Sequence, residues 1–168
     1  MFKDEVYYIL DASAFIGGFE PKTPLNFTIP EITEEIKDTK SKLILEEAIN
    51  ENKLNIKEPS LDSIKKIDDI IFKSGDSLRL SNVDKTLLSL ALDFSKKHKI
   101  KIITDDYSIQ NVAKILGFPY ESVLTKGIKG VYNWVKACNG CRKEYTDNYP
   151  YDDCEICGSE IFKKRIVK

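Results

Sequence analysis

Two groups of residues in this sequence have the types and spacing needed to bind metal ions. The first is a set of four cysteines, in Cys138-Asn-Gly-Cys141 and Cys154-Glu-Ile-Cys157, with twelve residues between the two pairs. Two C-x-x-C turns that face each other can supply the four thiolates of a tetrahedral Zn²⁺ site. Because such a site leaves no open position for water, the spacing predicts a structural zinc ion. Two disulfides or a redox C-x-x-C are the alternatives, and the cytoplasmic location that we expect disfavours both.

The second group consists of carboxylates at the ends of predicted strands. Asp11 follows the apolar run Val6 to Leu10, and Asp105 and Asp106 follow the run Lys99 to Ile103. Short apolar runs of this kind are typical of parallel strands buried on both faces. Sites in parallel sheets form beyond the carboxyl ends of the strands, so these aspartates are expected to share one edge. The alternative for Asp105 is that it only caps the helix predicted to follow it.

Three further acids belong to predicted helices. Glu34 and Glu35 lie on a helix opened by Pro30, and Asp84 lies in the first turn of a helix that begins near Ser81. Acids in a first turn usually do no more than complement the helix dipole, which is the alternative for Asp84. The set of acids, rather than any single member, predicts a functional site.

The elements that must position these residues follow from the apolar periodicity. Strands alternate with helices, which predicts an α/β fold with a mostly parallel sheet flanked by helices and a small zinc-ribbon domain after it. Ala12-Ser13-Ala14 is interpreted as a small-residue turn, and Leu54 and Ile56 as a second strand. Helices are predicted from Pro30 to about Asn52 (one long or broken helix), from Ser60 or Asp62 to Ile71, from Ser81 or Asn82 to Phe94, and through Ile109 to Leu116.

The charge distribution indicates a basic tail on an acidic body. From Thr125 onward there are nine Lys or Arg residues and six acids, although the whole chain has a formal net charge of −1. Aromatic residues of the tail, among them Tyr145, Tyr149 and Tyr151, could stack on bases or pack the ribbon. The residues predicted to contact RNA are Trp134, Lys136, Arg142, Lys143, Lys163, Lys164 and Arg165.

Several other classes of protein are disfavoured by the sequence. Nowhere do about 18 apolar residues run together, so we expect no membrane-spanning segment. The single histidine, His98, rules out ribonuclease chemistry by a histidine pair, and no G-x-S-x-G or P-loop pattern is present. A reaction at this acidic edge would instead depend on cations, because clustered carboxylates repel one another and hard oxygen ligands favour Mg²⁺ or Mn²⁺.

Four motifs in this order resemble those of the PIN-domain nucleases: YYILDAS, PEITEEI, LSNVD and IITDD. With the four-cysteine ribbon and the run TDDYSIQNVAKILG, the chain resembles the Nob family of ribosome-maturation endonucleases over nearly its whole length. The resemblance implies a Mn²⁺- or Mg²⁺-dependent endoribonuclease that cleaves precursor small-subunit ribosomal RNA at its mature 3′ end. It also implies that the partners are this RNA and the small ribosomal subunit.

Carried over position by position, the resemblance implies that Asp11, Glu35, Asp84 and Asp106 are catalytic, with the three aspartates binding the catalytic cation. Glu34 and Asp105 remain alternatives, because a doubled acid leaves the register open by one residue. Ser13 and Thr104 match the small hydroxyl positions of the family. The predicted domains are a PIN-like nuclease domain at 1–125, a linker at 126–134 and the zinc ribbon at 135–168. A toxin-like PIN ribonuclease and a non-catalytic RNA-binding assembly factor are the alternative functions.

Overall fold

The computed structural model describes residues 5–75, 80–124, 132–146 and 148–167. Within these ranges the elements in chain order are β1 (Val6–Leu10), α1 (Ala12–Ile16), β2 (Asn26–Thr28), α2 (Pro30–Glu35), α3 (Thr39–Asn50), β3 (Asn55–Ile56), α4 (Leu61–Ser74), α5 (Asn82–Ser95), β4 (Lys99–Ile103), α6 (Tyr107–Leu116), β5 (Tyr120–Glu121), β6 (Tyr132–Cys138), β7 (Glu144–Tyr145) and β8 (Ile161–Val167).

The first five strands form one parallel sheet in the order β3-β2-β1-β4-β5. This arrangement confirms the predicted α/β class with a mostly parallel sheet. The central strand β1 pairs with β4 in a register that sets Leu10 beside Ile103. The two strands therefore end together, and the backbone N–H of Asp11 donates to the carbonyl of Ile103 at 3.1 Å. Residues that follow β1 and β4 consequently meet at one edge of the sheet.

One apolar core supports this edge. Ile9, Leu10, Ile102 and Ile103 of the two central strands are at most 1% exposed, and they belong to the same cluster as the buried faces of the helices. Helix α5 packs against both central strands and against α4. The last two residues of each strand are buried, whereas β4 also carries Lys99 and Lys101 in its first half. Burial of these carboxyl ends against the core holds the start of the segments that carry the aspartates.

The predicted helix from Pro30 to about Asn52 is divided into α2 and α3. Ile36 has an extended backbone, with φ −80° and ψ 112°, and ends the first helix. Asp38 then caps the second helix, because its carboxylate accepts a hydrogen bond from the backbone N–H of Ser41 at 2.9 Å. The break leaves Glu34 and Glu35 on the last turn of a short helix.

Two strands and one helix of the domain were not predicted from the sequence. Strands β2 and β5 contain only three and two residues, so no run of apolar residues marks them. The predicted small-residue turn after β1 is in fact the five-residue helix α1, with Asp11 at its N-cap position. The small side chains of Ala12 and Ala14 are buried there, which allows the helix to lie close to the sheet edge.

The cysteine-bearing part forms a separate antiparallel sheet in the order β7-β6-β8. Its small core consists of Cys138, Tyr145 and Cys154, with Tyr149 and Ile161 packed against it. Residues 125–131 of the predicted linker lie outside the described residues, and β6 already covers 132–134. In the described part of the chain, no helix combines the length and the apolar character needed to cross a membrane.

Candidate active site and zinc centre

Asp11 is the most buried carboxylate at the edge of the parallel sheet, with 6% of its surface exposed. Its Oδ2 atom accepts hydrogen bonds from the hydroxyls of Ser13 at 2.8 Å and Thr104 at 2.9 Å. Burial raises the pKa of Asp11 above its ordinary value, although these hydrogen bonds oppose the rise, and the charge of Asp106 adds to it. The predicted hydroxyl residues therefore bind the predicted catalytic acid directly.

The two hydroxyls also connect Asp11 to the residues after β4. The backbone N–H of Asp105 donates to Oγ of Ser13 at 2.9 Å, and that of Asp106 donates to Oγ1 of Thr104 at 3.0 Å. Each hydroxyl thus accepts from a backbone amide and donates its single proton to Asp11. Since all donors in this network are assigned, the orientation of the Asp11 carboxylate is fixed before any ligand binds.

Asp106 combines a structural role with a place in the site. Its Oδ1 atom accepts the backbone N–H groups of Ser108 at 2.7 Å and Ile109 at 3.3 Å, which caps helix α6. Its charge also raises the pKa of Asp11 and of Asp84. The alternative that Asp105 caps this helix is therefore wrong, because the capping residue is Asp106.

Asp84 reaches the site from the first turn of α5. A capping box holds it, in which its Oδ2 atom accepts from the backbone N–H of Ser81 at 3.0 Å and its own N–H donates to Oγ of Ser81 at 3.1 Å. Desolvation by burial raises the pKa of Asp84 to about 6, and the charges of Asp106 and Asp11 add to the rise. Asp84 therefore both begins its helix and interacts electrostatically with the other two aspartates.

The surroundings distinguish the two members of each adjacent acid pair, Glu34–Glu35 and Asp105–Asp106. Desolvation raises the pKa of Glu35, and the charge of Asp11 raises it further, so Glu35 faces the acidic site. Glu34 and Glu35 are both exposed, so the charge interaction with Asp11, and not burial class, distinguishes Glu35 from its neighbour on α2. Asp105 instead uses its Oδ1 atom to accept the backbone N–H groups of Val123 at 2.9 Å and Leu124 at 3.1 Å. The arrangement groups Glu35 with the aspartates and gives Asp105 the role of holding the loop after β5.

The carboxylates at the sheet edge do not form a closed cage for a cation. Within the described residues, no three carboxylates bring one oxygen each within 4.8 Å of one another. A cation here would contact one or two carboxylates directly and reach the others through water. Mg²⁺ binds proteins in this way, because it keeps several water ligands and uses one or two carboxylates together with substrate phosphates. Asp11, Asp84 and Asp106 offer oxygen ligands, which are the kind that Mg²⁺ and Mn²⁺ prefer.

The four cysteines form a compact cluster that fits zinc. Their sulfur atoms all lie within 4.8 Å of one another, with 3.3 Å between Cys138 and Cys157 and 3.6 Å between Cys141 and Cys154. These distances are too long for disulfides, whose S–S length is about 2.05 Å. They are close to the spacing of about 3.8 Å that tetrahedral geometry requires for Zn–S bonds of about 2.3 Å.

Donors around the sulfur atoms support the same assignment. The backbone N–H of Gly140 points at Cys138 Sγ (3.3 Å), and that of Ile156 points at Cys154 Sγ (3.4 Å), two residues after the cysteine in each turn. The hydroxyl of Tyr145 lies 2.9 Å from Cys154 Sγ, and this tyrosine is 9% exposed. Tyr145 therefore contacts the cysteine cluster, and its ring is not free to stack on a base.

The residues predicted to contact RNA differ in how free they are. Arg142 and Lys164 are exposed and Lys163 is half-buried. Lys136 donates to the carbonyl of Tyr149 at 3.0 Å, and Lys143 pairs with Glu155 at 2.5 Å and lies over the Tyr145 ring. The side chains of Trp134 and Arg165 lie outside the described residues, although their backbones pair across β6 and β8.

Comparison with known proteins agrees with the fold. Residues 8–94 match a family described as the PIN domain of ribonuclease. The chain is 48% identical over 157 residues to the endoribonuclease Nob1 of Methanothermobacter thermautotrophicus, covering 94% of this chain and 92% of that protein. It is 40% identical to endoribonuclease Nob1 of Methanocaldococcus jannaschii, over 95% of this chain and 78% of that protein. For endoribonuclease Nob1 of Pyrococcus abyssi the identity is 34%, over 91% and 90%.

The sheet, the acidic edge and the family match define the class as PIN-domain ribonucleases. Within that class, the chain belongs to the Nob1 family of endoribonucleases. The resemblance inferred from the four motifs and the cysteine spacing is thereby confirmed.

Proposed function

We propose that this chain is a metal-dependent endoribonuclease that cleaves precursor small-subunit ribosomal RNA at its mature 3′ end. One observation carries the proposal: Asp11, Glu35, Asp84 and Asp106, which come from four separate elements, are electrostatically coupled at one edge of the sheet. Membership of the Nob1 family supports the choice of RNA substrate.

The side chains have distinct roles in this proposal. Asp11, Asp84 and Asp106 hold the cation, and Glu35 adds negative charge beside Asp11. Bound Mn²⁺ or Mg²⁺ supplies the activated water and the positive charge that phosphodiester hydrolysis requires. Ser13 and Thr104 keep the Asp11 carboxylate in one orientation through the hydrogen bonds to Oδ2. Because that orientation is set in advance, it costs no reorganisation when RNA binds.

The zinc ribbon is proposed to hold the RNA, while the acidic edge cuts it. Cys138, Cys141, Cys154 and Cys157 would hold the zinc ion, and four thiolate ligands would leave no position for substrate, so the zinc would be structural. Arg142 and Lys164 are exposed there and form no ion pair with another described residue, whereas Lys143 is paired with Glu155. We further propose that the nuclease domain covers 1–125 and that the ribbon begins with β6 at Tyr132, three residues before the predicted boundary, so that the linker is no longer than 126–131. The protein is proposed to act on the small ribosomal subunit in the cytoplasm.

The proposal is tested with an RNA that spans the 3′ end of the small-subunit rRNA and its downstream precursor. The RNA is incubated with zinc-loaded protein, with and without Mn²⁺, and the new ends are mapped. We expect one dominant Mn²⁺-dependent cut at the mature 3′ end, which Asp11→Asn removes. Cuts scattered over unrelated RNAs would favour a toxin-like ribonuclease instead, and binding without any cut would favour a non-catalytic assembly factor.

A further inference from the structure

An exposed aromatic side chain lies directly beside the acidic edge. Tyr107 is the first residue of α6 and follows Asp106, whose carboxylate caps that helix. Tyr107 is 49% exposed. Among the described residues, the other exposed aromatic residues are Phe72 on α4 and Tyr151 and Phe162 in the ribbon. None of these three adjoins an acid of the proposed active site in the sequence.

The Tyr107 side chain has no polar or aromatic partner inside the protein. No hydrogen bond, ion pair or ring contact joins it to another described residue. By contrast, Tyr7, Tyr8, Tyr145 and Tyr149 each contact another aromatic ring. A single exposed ring is ordinary on a protein surface, because much of any surface is apolar. What distinguishes Tyr107 is therefore its position beside a proposed ligand of the cation.

Helix geometry sets the direction of the Tyr107 side chain. Residues three and four positions further along a helix lie on the same face, and for Tyr107 these are Gln110 and Asn111. Both are buried, and Nε2 of Gln110 donates to the carbonyl of Thr104 at 2.8 Å, so this face of α6 rests on the sheet edge. Helical side chains lean toward the N-terminus of their helix, and α6 begins at the edge that carries the acids. The Tyr107 ring therefore projects toward the acidic site.

The phosphate that is cut determines where the RNA must pass. In the proposed reaction this phosphate contacts the cation held by Asp11, Asp84 and Asp106. The α-carbons of Asp106 and Tyr107 are about 3.8 Å apart, so the bases on either side of the cut lie within reach of the Tyr107 ring. Aromatic side chains stack on the bases of single-stranded RNA, and they accept any base because every base has a flat face.

We propose that Tyr107 stacks on the base of a nucleotide next to the cut phosphate and thereby positions the RNA strand at the catalytic cation. This inference rests on the proposed function for the place of the cut. Correct orientation of the reacting phosphate raises the rate of its hydrolysis. Because the ribbon is proposed to hold the RNA, loss of the stacked base should appear mainly in the cleavage rate of bound RNA and less in its affinity.

The test combines a change in the protein with a change in the RNA. Tyr107→Leu removes the ring and keeps an apolar side chain, and an abasic nucleotide on one or the other side of the cut removes one base. Cleavage is measured in single turnovers with saturating, zinc-loaded full chain and Mn²⁺. We expect Tyr107→Leu, and the abasic nucleotide at the stacked position, each to slow cleavage at least about fivefold, the lower end of the usual range for one stacked base. Combining the two should cause no further loss, because both remove the same contact.

Two matched controls accompany this test. Tyr107→Phe keeps the ring and loses only the hydroxyl, so it should cleave like the wild type. An abasic nucleotide far from the cut should leave cleavage unchanged. Losses that multiply when Tyr107→Leu is combined with either neighbouring abasic nucleotide would overturn the proposal, since ring and base would then act independently. A defect of Tyr107→Phe as large as that of Tyr107→Leu would also overturn it, because the hydroxyl and not the ring would be responsible.

NMR supplies a readout that needs no cut. When a short single-stranded RNA with the sequence around the mature 3′ end binds the full chain with Mg²⁺, the ring protons of Tyr107 should shift upfield, as protons that face a stacked base do. Unchanged Tyr107 resonances in saturated complex would overturn the proposal even if Tyr107→Leu failed to fold. If the shift appears and no RNA is cut, only the proposed cleavage fails; if the RNA is cut and the two losses multiply, only the base contact fails.

Discussion

The two candidate metal centres of this chain are built in opposite ways. In the ribbon, four sulfur atoms lie within 4.8 Å of one another, and backbone N–H groups and a tyrosine hydroxyl surround them. At the sheet edge, the carboxylates stand further apart, and Asp84 and Asp106 each give one oxygen to a helix cap. The ribbon thus supplies every ligand that its ion needs, whereas the edge leaves room for water and substrate.

The pKa values of ionisable groups also differ between the two centres. Hydrogen bonds from Ser159 lower the pKa of the Cys157 thiol to about 6, which favours the thiolate that zinc requires. Desolvation and like charges raise the pKa of Asp84 to about 6, which disfavours its charged form. Donors therefore favour the thiolates of Cys154 and Cys157. Against the backbone hydrogen bond of Lys143, which lowers the pKa of the Cys141 thiol, desolvation and the neighbouring cysteines raise that pKa to about 11. The acidic edge retains unfavourable repulsion until a cation neutralises it.

The largest expected effect concerns the ribbon. We expect one zinc ion per chain, and we expect Cys154→Ser or removal of zinc to unfold the ribbon, because its core consists of little more than two cysteines and Tyr145. Elemental analysis and amide exchange of β6 and β8 measure these outcomes. Amides of β1 and β4 in the same sample serve as the control and should stay protected. Unchanged protection of β6 after zinc removal would contradict a structural role for the metal.

The next largest effect is on catalysis. Asp11→Asn and Asp106→Asn should each lower cleavage by about a hundredfold or more, since each removes a cation ligand, and should leave RNA affinity nearly unchanged. The fold should survive Asp106→Asn, because asparagine caps helices about as well as aspartate. Single-turnover kinetics measure the cleavage rate, and a binding titration measures the RNA affinity.

Asp105→Asn is the matched control for Asp106→Asn. Asparagine still offers an oxygen to the N–H groups of Val123 and Leu124, so we expect a loss of cleavage of no more than about tenfold, as for residues that position a metal ligand indirectly. A larger loss for Asp105→Asn than for Asp106→Asn would mean that the catalytic register is shifted by one residue.

A pH titration should distinguish the acidic edge from the rest of the fold. The pKa of Asp84 rises from 3.8 to about 6 in the folded chain, so the folded state binds more protons than the unfolded state in that interval. The stability of protein free of Mg²⁺ and Mn²⁺ should therefore fall as the pH rises from about 4 to about 6. Denaturant titrations at each pH measure this slope. Asp84→Asn should flatten it, and an unchanged slope in that variant would contradict the assignment.

The smallest effect is expected from single charges of the tail. Replacing Lys164 with Ala should weaken binding of single-stranded RNA and reduce the slope of log affinity against log salt by about 0.7, the usual value for one phosphate contact. Lys143→Ala should change the slope less, because Lys143 is already paired with Glu155. Binding titrations at several salt concentrations make the comparison. Equal slopes for the wild type and Lys164→Ala would mean that Lys164 contacts no phosphate.

Much of the parallel sheet could be predicted because its central strands have a clear chemical signature. β1 is the apolar run VYYIL and β4 ends in the apolar pair Ile102-Ile103, and the aspartates after them are visible in the sequence. Strands β2 and β5 contain no apolar run. They are strands because they pair with β1 and β4, and that pairing is not visible in the sequence. The cysteine spacing is as clear as the central strands, since tetrahedral sulfur coordination depends on few residues.

The roles of Asp105 and Asp106 could not be separated from the sequence. Both follow β4 and both can cap a helix, and the distinction depends on Val123, eighteen residues further along the chain. Tyr145 presents a similar case, because an aromatic residue in a basic tail is equally suited to base stacking and to packing. Its contact with Cys154 depends on how the two cysteine turns come together in three dimensions.

The central claim is that the sheet edge, and not the zinc ribbon, holds the catalytic cation. The most direct measurement is binding of Mn²⁺ to zinc-loaded protein, followed by electron paramagnetic resonance, in the wild type, Asp11→Asn and Asp105→Asn. We predict Mn²⁺ binding to the wild type, a loss of at least about tenfold in affinity for Asp11→Asn, and a smaller change for Asp105→Asn. Equal Mn²⁺ affinity in the wild type and Asp11→Asn, with the zinc content intact, would contradict the claim.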